Sequence, residues 1–169
     1  AMVIPVMVVL INLWYTVRGK LGAIHADIGA KFVFTGTIYY FFVNIQGSMM
    51  ALPVVQRITH FNNWVVGHAH IGVLGFAGVT ALGGLYFLLP RITGKPLYSK
   101  FLADLQYWLV LIGITGFAIV LTIVGLIQGN AWYNGETLYR TLPEIQSYYV
   151  LRASLGAFIM IGAYLGLYN

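Results

Sequence analysis

Asn63-Trp64-Val65-Val66-Gly67-His68-Ala69-His70-Ile71-Gly72-Val73-Leu74-Gly75-Phe76 opens an apolar run that continues to Leu89 without an acidic residue, Lys or Arg. A helix needs ~20 mostly apolar residues to cross the hydrocarbon core of a bilayer. This run exceeds that length, and it carries two histidines separated by one residue. Successive residues on an α-helix are rotated by ~100°, so positions two apart point ~200° from each other. His68 and His70 therefore cannot chelate one metal from a single helical face. They are placed to ligate two centres, one on each side.

The same pattern recurs along the chain. Of 169 residues, 60% are hydrophobic and 8% charged, whereas a soluble domain carries ~25% charged residues. Mean hydropathy is +0.84. Runs free of charge, or in the last case free from Ala153 onward, predict five spans at about 1–17, 32–52, 63–89, 105–127 and 150–168. Backbone groups in lipid must be satisfied within a helix or a closed barrel, and the runs lack the alternation of barrel strands. The fold class expected is an all-α integral membrane bundle of about five transmembrane helices, forming one membrane domain over 1–169. The second span should stop before Pro53 and the third at Pro90, because proline breaks the hydrogen-bond ladder. Gly72, Gly75 and Gly78 should flatten one side of the third span for a neighbouring helix or a planar cofactor. Gly162 and Gly166 form a small-xxx-small pair suited to helix contact.

The net charge of +5 does not indicate nucleic acid, because the cations do not cluster. Arg18, Lys20 and Lys31 (with Asp27) fall in the first connection, Arg57 alone in the second, and Arg91, Lys95 and Lys100 in the third. Glu136 and Glu144 balance Arg140 and Arg152 in the fourth. The positive-inside rule places the first and third connections in the cytoplasm. The histidine pair, near the second connection, then lies toward the opposite face. Zero cysteines exclude disulfides and thiolate metal sites within this chain. No secretory leader is recognisable, and the chain reads as a piece of a longer polypeptide.

A lone intramembrane histidine is often a packing residue. Two on opposite faces each pay desolvation and each need a partner, which favours ligation; imidazole is the usual axial ligand of haem iron. With no i, i+4 histidine partner in the span, a mononuclear zinc or di-iron site is disfavoured. Asn44, Gln46 and Ser48 in the second span should face the bundle interior. Thr35, Thr37, Tyr39, Tyr40 and Thr80 read either as back-bonded hydroxyls or as parts of a proton path. Tyr107, Trp108 and Trp132 read as interface anchors.

The stretch from Thr59 to Phe76 resembles the helix that binds two haems in the haem–copper oxidase superfamily. The nearest variant is the catalytic subunit of the C-family, cbb-type cytochrome c oxidases. Gln46-Gly47-Ser48-Met49-Met50 resembles that family's acidic-Gly-Pro-Met-Met segment one helix earlier. The resemblance covers essentially the whole chain and matches about the last five of roughly a dozen spans. It implies a fragment of a terminal respiratory oxidase that reduces dioxygen to water with electrons from cytochrome c. His68 would be the catalytic residue of this chain, the axial ligand of a high-spin haem iron. His70 would be one of two axial ligands of a low-spin haem iron. His60 would lie near a propionate of the high-spin haem, with a solvated interfacial histidine as the alternative. Gln46 stands where the family has an acid and would tune His68. Asn63 likewise replaces an acid common before the motif tryptophan.

The resemblance further implies two haems, b-type, and copper ligated by residues outside this chain. His25, beside Asp27, is read as solvated. The partners implied are the missing N-terminal part of the same subunit, c-type cytochrome subunits or soluble cytochrome c, dioxygen and the lipid bilayer, with no nucleic acid. The location implied is the inner (cytoplasmic) membrane of a prokaryote, crossed several times. Two alternatives remain: a nitric oxide reductase catalytic subunit, which shares the motif, and a non-catalytic membrane or transport subunit whose histidines pair with polar side chains.

Overall fold

The computed structural model describes residues 3–169 and contains helices and connections, with no strand among the described residues. In chain order, α1 is Val3–Val17, α2 Leu21–Ala26, α3 Ile28–Met50, α4 Pro53–Thr59, α5 Asn63–Thr93, α6 Lys100–Tyr133 and α7 Leu138–Tyr168. Four of them, α3, α5, α6 and α7, are long and apolar enough to span a membrane. The first expected span corresponds to α1. Its described 15 residues rise about 22 Å, short of the ~30 Å hydrocarbon core. Residues 1 and 2 of that expected span lie outside the described residues.

Local signals fix the helix ends. Asp27 accepts the Ala30 N–H at 2.7 Å, Asn62 the Trp64 N–H at 2.9 Å, and Ser99 the Leu102 N–H at 3.4 Å. Each satisfies a first-turn donor that the helix itself cannot. The second span ends before Pro53, as expected, and Pro53 opens α4, where its missing N–H costs nothing. Pro90 does not stop the third span. α5 runs through it to Thr93 and ends at Gly94, whose φ of 66° supplies the left-handed cap. One lost bond in the last turn is tolerated there, and the required positive φ sets the end. α6 and α7 begin earlier than the expected spans at 105–127 and 150–168, and α6 extends beyond its expected span as well. Their end turns carry charged residues such as Lys100 and Arg140.

α5 is not regular. Ile71–Gly78, directly after His70, winds as a π-helix. Gly75 lies against the Tyr39 ring of α3, where a Cβ would come within 2.8 Å of Cγ. Gly72 approaches Val43 of α3, whereas Gly78 meets only its own helix. The glycine row thus serves a neighbouring helix, and the wider π turns rotate its third member off the shared face.

The bundle core joins Phe32 and Tyr39 of α3, Ile71 and Val79 of α5, and Val110, Ile114 and Ala118 of α6. A second cluster packs Val120 and Val124 of α6 on Ile145 of α7. Gly162 and Gly166 face α6, at Val110 and at the Gln106 amide. Polar contacts fix which connections share an end. Lys31 Nζ meets Asp104 Oδ1 at 2.6 Å, which places the two strongly basic connections together. At the opposite end, Asn63 Nδ2 donates to Gln128 Oε1 at 2.7 Å and to Tyr149 OH at 3.0 Å.

Candidate functional site

Gly67 and Gly47 let the histidine helix sit close to its neighbours. A Cβ on Gly67 would lie 3.1 Å from Leu121 Cβ of α6, and one on Gly47 would lie 3.4 Å from His68 Cε1. The His68 imidazole thus lies over α3 at Gly47. On its own helix it stacks on Trp64, with ring centroids 6.2 Å apart and planes 9° from parallel. His70 turns toward α6, with its ring 4.9 Å from that of Phe117. The two imidazoles therefore face different neighbours, in line with the ~200° separation.

Their hydrogen bonding differs. His70 Nδ1 donates to Val66 O at 2.7 Å, one turn back. That bond fixes the tautomer with the proton on Nδ1 and leaves the Nε2 lone pair free. Among the described residues the His68 imidazole has no hydrogen-bond partner, and its Nδ1 is buried. Gln46 Oε1 is also buried and unpartnered. No hydrogen bond joins the two, although Gln46 immediately precedes the glycine that His68 covers. Buried polar atoms are rarely left unpaired, which singles out both side chains, His68 against Gly47 and Gln46 at the cavity between α3 and α6.

Asn63 does not approach His68. It ties the start of α5 to Gln128 and Tyr149, and Gln128 Nε2 closes the triangle to Tyr149 OH at 3.3 Å. The expectation that Asn63 replaces an acid acting on the proximal histidine is corrected accordingly: its side chain faces α6 and α7. His60 is exposed, with Nδ1 donating to Gln56 Oε1 at 2.9 Å and its ring 3.8 Å from Phe61. His25 is exposed in the last turn of α2. Among the described residues, no three His, Asp or Glu side chains gather where they could hold a metal.

The hydroxyls divide between two habits. Thr37 bonds back to Val33 O at 3.0 Å, as hydroxyls at membrane depth often do. Thr35 instead meets Tyr107 OH at 2.8 Å, and Tyr39 OH meets Thr115 Oγ1 at 2.7 Å. Both pairs bridge α3 and α6 beside a cavity of about 580 Å³ that reaches Gln46. Tyr107 is therefore an interhelical contact and not an interface anchor, while Trp108 is exposed as expected of one. Asn44 bonds its own helix at Tyr40 O, 2.7 Å away, and Ser48 is exposed on the described chain. Gln128 and Trp64 escaped the sequence reading. A glutamine inside an apolar run was the available signal for the first; the parallel stack of the second depends on the fold.

The donors suit haem iron: two imidazoles on opposite sides of one helix, one with its Nε2 free and oriented, the other without any partner. Comparison with known proteins points the same way. The family described as cytochrome c and quinol oxidase polypeptide I matches residues 1–159. A cytochrome c oxidase subunit 1 homolog of Agrobacterium tumefaciens is 29% identical over 168 residues, covering 95% of this chain and 31% of the relative. A cbb3-type cytochrome c oxidase subunit CcoN1 of Stutzerimonas stutzeri is 27% identical, covering 95% of this chain and 35% of its own length. A cytochrome c oxidase subunit 1 of Thermus thermophilus is 38% identical over 84 residues, or 48% of this chain and 15% of that relative. The chain thus spans about a third of the length of the relatives that cover it most fully. It belongs to the cytochrome c and quinol oxidase polypeptide I family.

Proposed function

We propose that this chain is the haem-holding part of the catalytic subunit of a cbb-type haem–copper oxidase, reducing dioxygen to water with electrons from cytochrome c. The observation that carries this reading is the opposed pair on α5, with His68 over α3 and His70 toward α6. Two b-type haems, when bound, supply the electron relay and the dioxygen-binding iron.

His70 Nε2 is the ligand to the low-spin iron, held in direction by the Nδ1–Val66 bond. His68 is the ligand to the high-spin iron, held by the Trp64 stack and by Gly47 beneath it. Gln46 offers an amide oxygen for the His68 Nδ1 proton; being uncharged, it gives that imidazole less basicity than a carboxylate would. His60, outside the spans, would serve as a donor to a propionate through Nε2, since its Nδ1 is spent on Gln56. Copper, its ligands, the second ligand of the low-spin iron and the electron donor belong to the rest of the subunit and its partners. We read α1 as a first of five crossings in a prokaryotic inner membrane, with the two basic connections on the cytoplasmic side.

Optical spectroscopy of the purified complex is the test. His70→Ala is expected to abolish the reduced low-spin b-type band, and His68→Ala to abolish carbon monoxide binding at the high-spin haem while leaving that band. A wild-type complex without a b-type spectrum, or one containing iron without copper, would falsify the reading.

A further inference from the structure

A charge stands on the inward face of α7. Ile145 is buried with Val120 and Val124 of α6, and Ile159 packs against the bundle core. Arg152 is seven residues from each, about two turns, so all three share a face. It is partly buried there. The single ion pair among the described residues joins Lys31 to Asp104 at the other end of the bundle, so Arg152 has no carboxylate partner in them. An ionisable side chain within a membrane span that faces the bundle normally pairs with an opposite charge. The guanidinium lies over the Tyr149 ring, 4.9 Å from its centroid. The Tyr149 hydroxyl is in turn 3.0 Å from Asn63 Nδ2, at the start of α5.

Asn63 and His70 are themselves seven residues apart on α5, hence on one face and about 10 Å apart along its axis. One face of α6 runs beside them: Gln128 meets Asn63 and Phe117 meets His70, eleven residues or about three turns apart. A group ligated by the free Nε2 of His70 therefore lies along a face whose end at Asn63 has a cation beside it. Haem has the matching polarity, an apolar macrocycle with carboxylate arms. Those arms are costly to leave in hydrocarbon, so they turn toward the near interface, where α5 begins. We propose that Arg152 is the counter-ion of a propionate of the haem ligated by His70, and that its charge holds up the potential of that haem. The inference rests on the haem reading of His70. Its electrostatic sense is fixed, because the reduced iron carries one positive charge fewer and a nearby cation favours it.

The test is a redox titration of the complete purified complex, read at the low-spin band. Arg152→Gln should keep that band, since His70 is untouched, and lower its midpoint potential by about 60 mV, a tenfold change for one electron. Arg152→Lys, which keeps the charge, should recover most of the shift. Arg140→Gln, which removes an exposed cation from the first turn of α7, should produce none. In reduced-minus-oxidised infrared spectra of Arg152→Lys the redox-linked carboxylate band should move, because an ammonium replaces the guanidinium. A wild-type midpoint in Arg152→Gln, or a fall matched by Arg140→Gln, would overturn the proposal and leave Arg152 to a lipid phosphate or an acidic side chain remote from the haem. A wild-type complex without a b-type spectrum would instead overturn the haem reading together with this inference, so the two failures are distinct. Should Arg152→Gln fail to assemble, the infrared band of Arg152→Lys decides the matter, and an unmoved band counts against the proposal.

Discussion

At the scale of single residues, the two histidines differ in what holds them. His70 has its Nδ1 tied to the backbone of its own helix, so its orientation survives without any other element. His68 depends on packing, with Trp64 stacked on one side and Gly47 below. On the proposed reading its electronic tuning would come from Gln46, whose Oε1 is buried and unpartnered one residue before Gly47. Replacing Gln46 by Glu introduces a carboxylate that would strengthen imidazolate character on His68. The expected result is a fall in the midpoint potential of the high-spin haem by about 60 mV, equivalent to a tenfold change for one electron. Potentiometric titration of the purified complex measures it. An unchanged potential would show that Gln46 only satisfies backbone groups between the helices.

At the scale of elements, the π-helical stretch of α5 connects the two histidines to the bundle. Such wide turns frequently mark functional sites, and this one starts one residue after His70. Its position is set by the contact of Gly75 with Tyr39, which leaves no room for a Cβ. Gly75→Ala should therefore push α5 off α3, with an overpacking cost of about 1–3 kcal/mol. The expected signs are a lower thermal midpoint and an altered low-spin haem spectrum. Tyr39→Ala in the same chain should restore part of both, because the clash is with that ring. A Gly75→Ala variant that matches wild type in both readouts would show that the wide turn does not depend on this contact. The start of α5 is held separately, by the Asn63–Gln128–Tyr149 triangle.

At the scale of the whole molecule, the sharing of one end by the basic connections is a structural result. The Lys31–Asp104 contact brings the first and third connections together, and Asn63 with Gln128 and Tyr149 marks the other end. The chain has no cysteine, so single introduced thiols report its topology directly. Lys20→Cys and Lys95→Cys should be labelled by a membrane-impermeant reagent from one side, and Arg57→Cys and Glu136→Cys from the other. Labelling of positions 20 and 95 from opposite sides would contradict the arrangement.

Apolar run length and the His-x-His spacing determined, from the sequence alone, that this is a helical membrane protein with two histidines pointing apart. Both follow from local geometry: a fixed rise per residue against a fixed bilayer thickness, and a fixed rotation per residue. Helix starts at Asn62 and Ser99 are local as well, because a cap needs only its own first turn, although charge-free length put the second of these helices later, at about 105. Passage of α5 through Pro90, the π turns after His70, and the diversion of Tyr107 to Thr35 and of Asn63 to Gln128 were decided by the tertiary structure. The π turns and the two diverted side chains depend on partners tens of residues away, whose approach no spacing within one helix encodes, while the passage through Pro90 ends at the left-handed Gly94.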